Sequence, residues 1–403
     1  METSKNSSDA GSVNQEQDKV HFLCKVAAES FKNDDIQTAL RKFKKAYMLS
    51  CKVSDKKFQN ICLFNLGAAY ICVGKLKKAL KCLLKSTTEG GAQDRNGDLF
   101  FNLAVTYDEM KEYGKAVKFY EKSINVYGLD EINNISDALI KLGYCFVSLG
   151  DLPSAAHSFR LAGHSYQKID YKEDAAMAMR EAANYMIKSK TFSKTEVLQT
   201  LDSCLVLCER LSDKQLLGTL YNHLGLHYAE TECFSQSRKC FSESMNLCRG
   251  TQFSVRKMAV LLQNLGAVDN ALHQYEKSLG CHAEAADMYG TLGERNAQGQ
   301  CLCNLAFAYS QLRKYKMAEF YYLQAMNAFV DSGDLLKQCQ VSEGLGATYF
   351  CLGNQDQAIF YYKQALTLFG KSKETSDIPR ERILAKLTDA IEYKLAKGHP
   401  VSE

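Results

Sequence analysis

The sequence has 403 residues, of which 46% are hydrophobic, and a formal net charge of +4. A globular chain of this length would form two or three domains at about 150 residues each, unless it is built from repeats that contact only their neighbours. The small net charge argues against a general binder of nucleic acid or of anionic membranes, because such proteins show a clustered basic field.

The N-terminal segment, residues 1–19, is rich in Ser, Asn, Gln, Asp and Glu and has little to bury, which predicts a disordered tail. It does not resemble a signal peptide, and no apolar run approaches the roughly 20 residues of a membrane span. The sixteen cysteines lie mostly among apolar residues, as Cys62, Cys72, Cys145 and Cys339 do. We therefore expect reduced, buried thiols and a cytoplasmic location.

One pattern of small and aromatic residues recurs from Val20 to about Phe369. Around Gly67, Leu66 comes one residue before, Tyr70 three after, Ala79 twelve after and Leu83 sixteen after. We call the small residue the anchor and count other positions from it. The anchors, spaced 37 to 43 residues apart, are Ala27, Gly67, Ala104, Gly143, Ala182, Gly225, Gly266, Ala306 and Gly346.

Two repeats match the pattern less well. The repeat on Ala182 has Lys194 at position +12, where the others have Ala or Ser, and continues with Leu198 and Leu201. The repeat on Gly266 has His282 at position +16, where most others have an aromatic residue.

The spacing predicts two helices in each repeat. Positions −1, 0 and +3 share one face of a first helix, while +12, +16 and +19 share one face of a second helix. Small residues at 0 and +12 let the two helices approach closely. Gly74, Gly150 and Gly353 at position +7 predict a left-handed residue where the first helix ends.

This nine-fold pattern resembles the tetratricopeptide repeat family over residues 20–370, although the family's early Trp and late Pro are absent. The repeat length near 40 is similar to that of the LGN and rapsyn group of adaptors. The resemblance implies an all-α, right-handed superhelical solenoid of about nine helix pairs. In residues 371–403, a polar linker precedes a helix opened by Pro379, predicted to cap the last repeat.

A candidate binding surface follows from position −2, which points away from the packed positions and towards the groove that first helices line in such a solenoid. Its residues are Lys25, Asn65, Asn102, Lys141, Arg180, His223, Asn264, Asn304 and Gly344. Eight of these nine carry a hydrogen-bond donor, and Asn also offers an acceptor, which suits an extended peptide backbone. In tetratricopeptide proteins this position contributes to peptide clamps, so the resemblance implies a groove for an extended segment. Lys25, Lys141 and Arg180 would favour carboxylates, but whether the segment is acidic stays open. The same asparagines are also part of the family's general consensus and would then only stabilise the helix surface.

Other features have structural as well as functional interpretations. Tyr144, Phe307 and Phe350 could anchor apolar side chains of a ligand. His223 and His227 share a helix face, but His-Leu-Gly-Leu-His lacks the glutamate of a metalloprotease motif, so we expect no metal. No phosphate-binding loop or nucleophile elbow occurs, and neither an enzyme nor a cofactor is predicted.

The leading hypothesis is a scaffold that binds an extended or helical segment of a protein partner, without nucleic acid binding or membrane insertion. A second hypothesis is a structural protein that self-associates through its repeats and has no linear ligand. A third, an enzyme with a metal site on His223, has the weakest support from the sequence.

Overall fold

The computed structural model describes residues 6–53, 55–86, 96–128, 130–248, 254–372 and 377–398. Within these ranges all regular secondary structure is α-helical, which confirms the predicted all-α fold. The nineteen helices of the described ranges are α1 (Asn6–Lys32), α2 (Ile36–Ser50), α3 (Lys56–Cys72), α4 (Leu76–Ser86), α5 (Asn96–Glu109), α6 (Tyr113–Val126), α7 (Ile132–Leu149), α8 (Leu152–Lys168), α9 (Lys172–Ser189), α10 (Lys194–Cys208), α11 (Lys214–Glu230), α12 (Phe234–Cys248), α13 (Val255–Ala271), α14 (Tyr275–Thr291), α15 (Arg295–Gln311), α16 (Tyr315–Ser332), α17 (Leu335–Cys351), α18 (Gln355–Lys371) and α19 (Asp377–Gly398).

The helices pack in sequential pairs, with each odd-numbered first helix against the even-numbered second helix that follows it. Each of the nine predicted anchors lies on a different first helix, from Ala27 on α1 to Gly346 on α17. The chain divides into two compact units, Met1–Arg210 and Leu211–Glu403. The first contains α1 to α10 and the second contains α11 to α19.

In the first unit, the anchor is the point of closest approach within a helix pair. A methyl carbon placed on Gly143 would lie 2.8 Å from the ring of Phe159, and one on Gly67 would lie 2.8 Å from Leu83. Phe159 and Leu83 are fully buried, both at position +16. The ring or branched side chain of the second helix therefore lies directly on the backbone of the first.

The second unit repeats this contact. A methyl carbon on Gly225 would lie 2.7 Å from Phe241, and one on Gly346 would lie 2.6 Å from Tyr362. The buried hydroxyl of Ser237, at position +12, donates a 2.7 Å hydrogen bond to the carbonyl of Gly225. A small residue at +12 thus lets the second helix approach closely enough for a hydrogen bond to the backbone carbonyl of the anchor.

The predicted left-handed residues at the ends of first helices are confirmed. Gly74, Gly150 and Gly353 have φ angles of +70°, +80° and +79°. Lys111 and Arg313 stand at the same position +7 of their repeats, with φ angles of +61° and +57°. Because L-residues are disfavoured in this region, the repeat geometry overrides local preference at those two positions.

Two regions differ from the sequence-based predictions. Helix α1 begins at Asn6, so residues 6–19, predicted to be disordered, are helical where described; nothing in this polar stretch stops the helix from extending upstream of Val20. In the fifth pair, α10 begins at Lys194 itself, capped by Ser193 with Glu196 in a capping box. Lys194 is therefore exposed at a helix start rather than packed at +12.

The seventh pair, α13 and α14, has a polar core. The ring of His282 lies on Gly266, where a methyl carbon would be 2.8 Å from it, and Asn270 Nδ2 lies 3.3 Å from His282 Nε2. Asp269, which replaces the usual aromatic at +3, is buried and accepts a 2.6 Å hydrogen bond from Arg238 Nε. Burial lowers the pKa of His282 to about 4, although a hydrogen bond at Gly266 acts in the opposite direction.

The last helix, α19, packs on α18 through the buried side chains of Ile383 and Ala390. It is also joined to α17 by ionic contacts. Arg382 donates hydrogen bonds of 2.8 and 2.7 Å to the two carboxylate oxygens of Glu343, and Lys386 donates one of 2.7 Å. Burial would raise the pKa of Glu343, but these hydrogen bonds outweigh it and hold the pKa below its ordinary value. The carboxylate therefore stays ionised and fixes α19 against the last pair.

Among the predicted core thiols, Cys62, Cys145 and Cys339 are buried, but Cys72 is exposed. Cys72 lies at position +5, on the side of the first helix away from the packed positions. No helix in the described ranges combines the length and the apolar character that crossing a bilayer requires.

We predict that Gly143→Ala lowers the free energy of unfolding by about 1–3 kcal/mol, because the added methyl group overlaps the buried ring of Phe159. The matched control is Gly280→Ala, also within a helix, where the methyl group meets open space. The control should be neutral or stabilising by up to about 1 kcal/mol. Urea denaturation followed by circular dichroism measures both, and equal effects of the two substitutions would contradict the close contact.

We also predict that His282 makes stability depend on pH. Since its pKa is lowered to about 4 in the fold, against about 6.5 in an unfolded chain, the unfolded state binds the proton first as pH falls. Stability should be complete above about pH 6.5 and decrease by a few kcal/mol between there and pH 4.

The substitution His282→Phe should remove this part of the pH dependence. Phenylalanine is the residue at the same position, +16, of the preceding repeat, where it is Phe241. Thermal melting of both proteins at pH 7.5, 5.5 and 4.5 provides the comparison. A stability difference between them that stays constant with pH would refute a buried, neutral His282.

Candidate functional site

The position −2 residues lie on first helices in both units. The first unit carries Lys25, Asn65, Asn102, Lys141 and Arg180, and the second carries His223, Asn264, Asn304 and Gly344. First helices of neighbouring pairs contact each other, as α3 and α5 do in the first unit and α11, α13, α15 and α17 do in succession in the second. In the second unit these contacts bring the −2 residues of successive first helices side by side. We call the side of the first helices that carries the −2 residues the first-helix face.

In the first unit, these residues differ in how accessible they are. Lys25 and Lys141 are exposed, while Asn65, Asn102 and Arg180 are half-buried. Arg180 forms an ion pair with the neighbouring Glu181. Its Nε atom is buried and has no hydrogen-bond partner among the described residues. Lys25 and Lys141 could bind a carboxylate directly, whereas Arg180 is already engaged.

In the second unit, His223 lies in a cleft of about 300 Å³ between α11, α12 and α13. Thr219 and Asn222 from α11 and Lys257 and Val260 from α13 line it with His223. The Oδ1 atom of Asn222 is buried and accepts no hydrogen bond from any residue that the structure describes. The lining of the cleft thus combines an amide, an imidazole, a lysine and an apolar wall.

A second cleft of about 510 Å³ lies further along the same face, formed by α13, α15 and α17. Gln263, Asn296, Gln300 and Lys337 supply its polar lining. Gln300 accepts a hydrogen bond from Lys337 and donates one of 3.1 Å to Oδ1 of Asn304. The −2 residue Asn304 is therefore joined to this cleft through a chain of side-chain hydrogen bonds.

The charges around the second cleft are largely paired within the protein. Arg256 lies 2.9 Å from Glu294, Arg295 pairs with Asp331, and Asn296 donates a 3.0 Å hydrogen bond to Asp334. The first contact joins α13 to the residue before α15, the second joins α15 to α16, and the third joins α15 to the residue before α17. Lys337 contacts the uncharged amide of Gln300 and leaves the cleft with a positive charge for a ligand.

The three candidate aromatic anchors have different surroundings. Tyr144 is exposed and packs edge-on against Phe159 at 5.0 Å between ring centroids. Phe307 is exposed beside Tyr275. Phe350 instead contacts Tyr393 of α19 at 5.4 Å, so the terminal helix already covers part of it. Tyr144 and Phe307 keep the access that an anchor for a ligand requires.

The histidines of α11 do not form a recognisable metal site. His227 is buried, with Nδ1 3.8 Å from Glu230. Among the described side chains, no group of three or more His, Cys, Asp or Glu residues is placed to hold a metal ion.

Sequence reasoning did not identify the residues that line the second cleft. Gln300 lies four residues before Asn304 and so shares its helix face, and Lys337 lies on that same side of the next first helix. Extending the −2 row by one helical turn would have found Gln300. Lys337 comes from another repeat, and its approach depends on how the helices pack.

Segments of the chain match sequence models of the tetratricopeptide repeat, at residues 257–331 for one model and at 97–127 and 343–371 for another. The chain therefore contains tetratricopeptide repeats, and the remaining helix pairs follow the same anchor pattern. These matches do not address the similarity in repeat length to the LGN and rapsyn group, which stays a prediction.

Solved structures of repeat proteins are similar to this fold. The apo form of RapI is 13% identical, with a TM-score of 0.55, over 87% of this chain and 98% of that chain. A STAND signal transduction ATPase with a tetratricopeptide repeat sensor from Pyrococcus horikoshii is 14% identical, with a TM-score of 0.49, over 83% and 52%. YrrB, described as a protein of this family with an unusual peptide-binding site, is 18% identical, with a TM-score of 0.37, over 51% and 94%. At such identities the likeness to RapI shows the fold alone.

Proposed function

We propose that this chain is a non-catalytic scaffold that binds an extended segment of a partner protein on the first-helix face of its repeats. The observation that carries the proposal is the succession of His223, Asn264 and Asn304 on neighbouring first helices, next to two open clefts. Tetratricopeptide repeats typically mediate binding of proteins or peptides, which supports the same conclusion.

The chemistry of this face suits a peptide backbone together with acidic side chains. Amide side chains such as Asn264 and Gln300 can donate to a peptide carbonyl and accept from a peptide N–H. Lys257 and Lys337, one beside each cleft, can bind carboxylates. The two clefts accommodate side chains that project from such a segment. In the first unit, Lys25 and Lys141 extend the preference for acidic residues.

To test this proposal, peptides are selected by display on the wild-type protein and their affinity is measured by calorimetry. The triple variant His223→Ala, Asn264→Ala, Asn304→Ala should bind them about 10- to 100-fold more weakly, since each lost hydrogen bond contributes about 1 kcal/mol.

The matched control removes three exposed amide groups from second helices of the same unit: Gln236→Ala, Asn327→Ala and Gln357→Ala. It should bind the selected peptides as the wild type does, and circular dichroism should show equal folding of all three proteins. Equal affinity of the triple variant and the control would reject the first-helix face as the site.

A specific observation also favours self-association as a second candidate function. Phe320 on α16 and Phe360 on α18 occupy the same repeat position, +14, and are 52% and 57% exposed. Met317 and Leu323, also exposed, lie beside Phe320 on α16. Apolar side chains clustered on the outer side of second helices could bury one another between two copies of the chain.

Sedimentation velocity over a concentration series distinguishes the two candidates. If the chain self-associates, Phe320→Ser with Phe360→Ser should abolish the larger species without affecting peptide binding. A scaffold that works as a single copy should instead sediment at one rate at every concentration.

A further inference from the structure

The basic residues of this chain are concentrated in one segment. Residues 41–85 contain twelve Lys or Arg and a single acidic residue, Asp55. Because the net charge of the whole chain is only +4, the rest of the chain is net acidic. The low overall charge therefore conceals a clustered basic field, contrary to the expectation from net charge alone.

The fold places five of these cations, together with Lys118 and Lys122 of α6, on one side of consecutive second helices in the first unit. Arg41, Lys81 and Lys118 occupy position +14 of α2, α4 and α6, and Lys45, Lys85 and Lys122 occupy position +18. Two positions four residues apart share a helix face about 6 Å from each other along the axis. That face is opposite to the buried positions +12, +16 and +19, and all six side chains are exposed. We call these six residues, with Lys78 at +11 of α4, the basic face.

The helices that carry the basic face contain almost no acidic residues: α2 and α4 have none, and α6 has one. Glu112 pairs with Lys115 at 2.5 Å, and Glu16 lies 3.9 Å from Lys52. Neither of these lysines belongs to the basic face. Glu121, at position +17 of α6, is exposed beside it. The side chains of these three helices therefore carry a strongly positive net charge.

The basic face is confined to the first three pairs. At position +14, the six later second helices carry His157, Glu196, Lys239, Gly280, Phe320 and Phe360. Only one of these is a lysine or arginine. The charge is therefore a property of one end of the first unit rather than a general feature of second helices in this chain.

The side chains of this surface indicate what it would bind. Six of the seven members of the basic face are lysines, which act as point charges rather than as bidentate forks. No aromatic side chain of α2, α4 or α6 is exposed, so these helices offer no surface for stacking bases. Met48 and Leu84, which are 71% and 42% exposed, lie among the cations. Cations with intervening apolar side chains suit the headgroup region of a bilayer.

Magnitudes favour a membrane over an acidic peptide. A single exposed ion pair changes affinity by less than about fivefold, and a peptide must also lose conformational freedom. A leaflet presents many anionic headgroups at once, and each lysine near it strengthens binding by about fivefold. We propose that the basic face docks this protein peripherally on a membrane rich in anionic phospholipids.

The test is co-sedimentation of the full chain with vesicles of phosphatidylcholine containing 30% phosphatidylserine, at 50, 150 and 500 mM NaCl. The wild type should bind at low salt and be released as salt rises, because screening shortens the reach of the charges. The variant Lys45→Gln, Lys78→Gln, Lys81→Gln, Lys118→Gln should bind at least 100-fold more weakly, at about fivefold for each cation removed.

The matched control makes the same change in net charge with four exposed lysines of the second unit: Lys239→Gln, Lys277→Gln, Lys316→Gln and Lys363→Gln. It should bind vesicles within about fivefold of the wild type, and melting curves should show that all the proteins fold. The proposal is overturned if the wild type ignores the vesicles at 50 mM NaCl, or if both variants lose binding equally. It is also overturned if polyglutamate or duplex RNA binds the basic face while vesicles do not.

Discussion

The fold depends on the closeness of two helices at one point in each repeat. A small residue on the first helix meets a bulky, buried side chain sixteen residues later on the second, as Gly143 meets Phe159 and Gly225 meets Phe241. Close packing of this kind leaves no space for an extra methyl group. The contact fixes the pairing of the helices and thereby sets which side chains face the core and which face solvent.

Because this contact recurs, each unit has two distinct outward surfaces, one formed by its first helices and one by its second helices. The first-helix face has amide and histidine side chains and, in the second unit, two clefts. His223 lines one cleft, and Asn304 is hydrogen-bonded to Gln300 of the other. The second-helix surface carries cations at one end of the first unit, such as Lys81, and exposed aromatic rings in the second unit, such as Phe320. A repeat protein can therefore separate several interactions on one chain, since solvent-facing positions vary without disturbing the anchors.

The sequence predicted the architecture well because the anchor pattern is local and repeated. Gly74 and Gly150 correctly predicted left-handed residues at the ends of first helices, because glycine adopts a positive φ without steric cost. Other features depend on contacts between residues far apart in the chain. The second cleft joins Gln300 to Lys337 from the next repeat, and no spacing within one repeat encodes that approach.

Amino-acid composition gave two wrong expectations, one about the start of α1 and one about the distribution of charge. The polar residues before Val20 gave no burial signal, yet α1 starts at Asn6, since helix extension needs no apolar face. The net charge averaged over 403 residues concealed the cations of residues 41–85. In a chain built of repeats, the charge at equivalent solvent-facing positions is more informative than the net charge of the whole chain.

A double-mutant cycle on Gly225 and Phe241 tests the central contact most directly. Gly225→Ala and Phe241→Leu should each destabilise the protein, the first by crowding the ring and the second by removing buried volume. Together they should destabilise it by about 1 kcal/mol less than the sum, because the smaller leucine makes room for the added methyl group. Strict additivity of the two effects in urea denaturation would contradict the account.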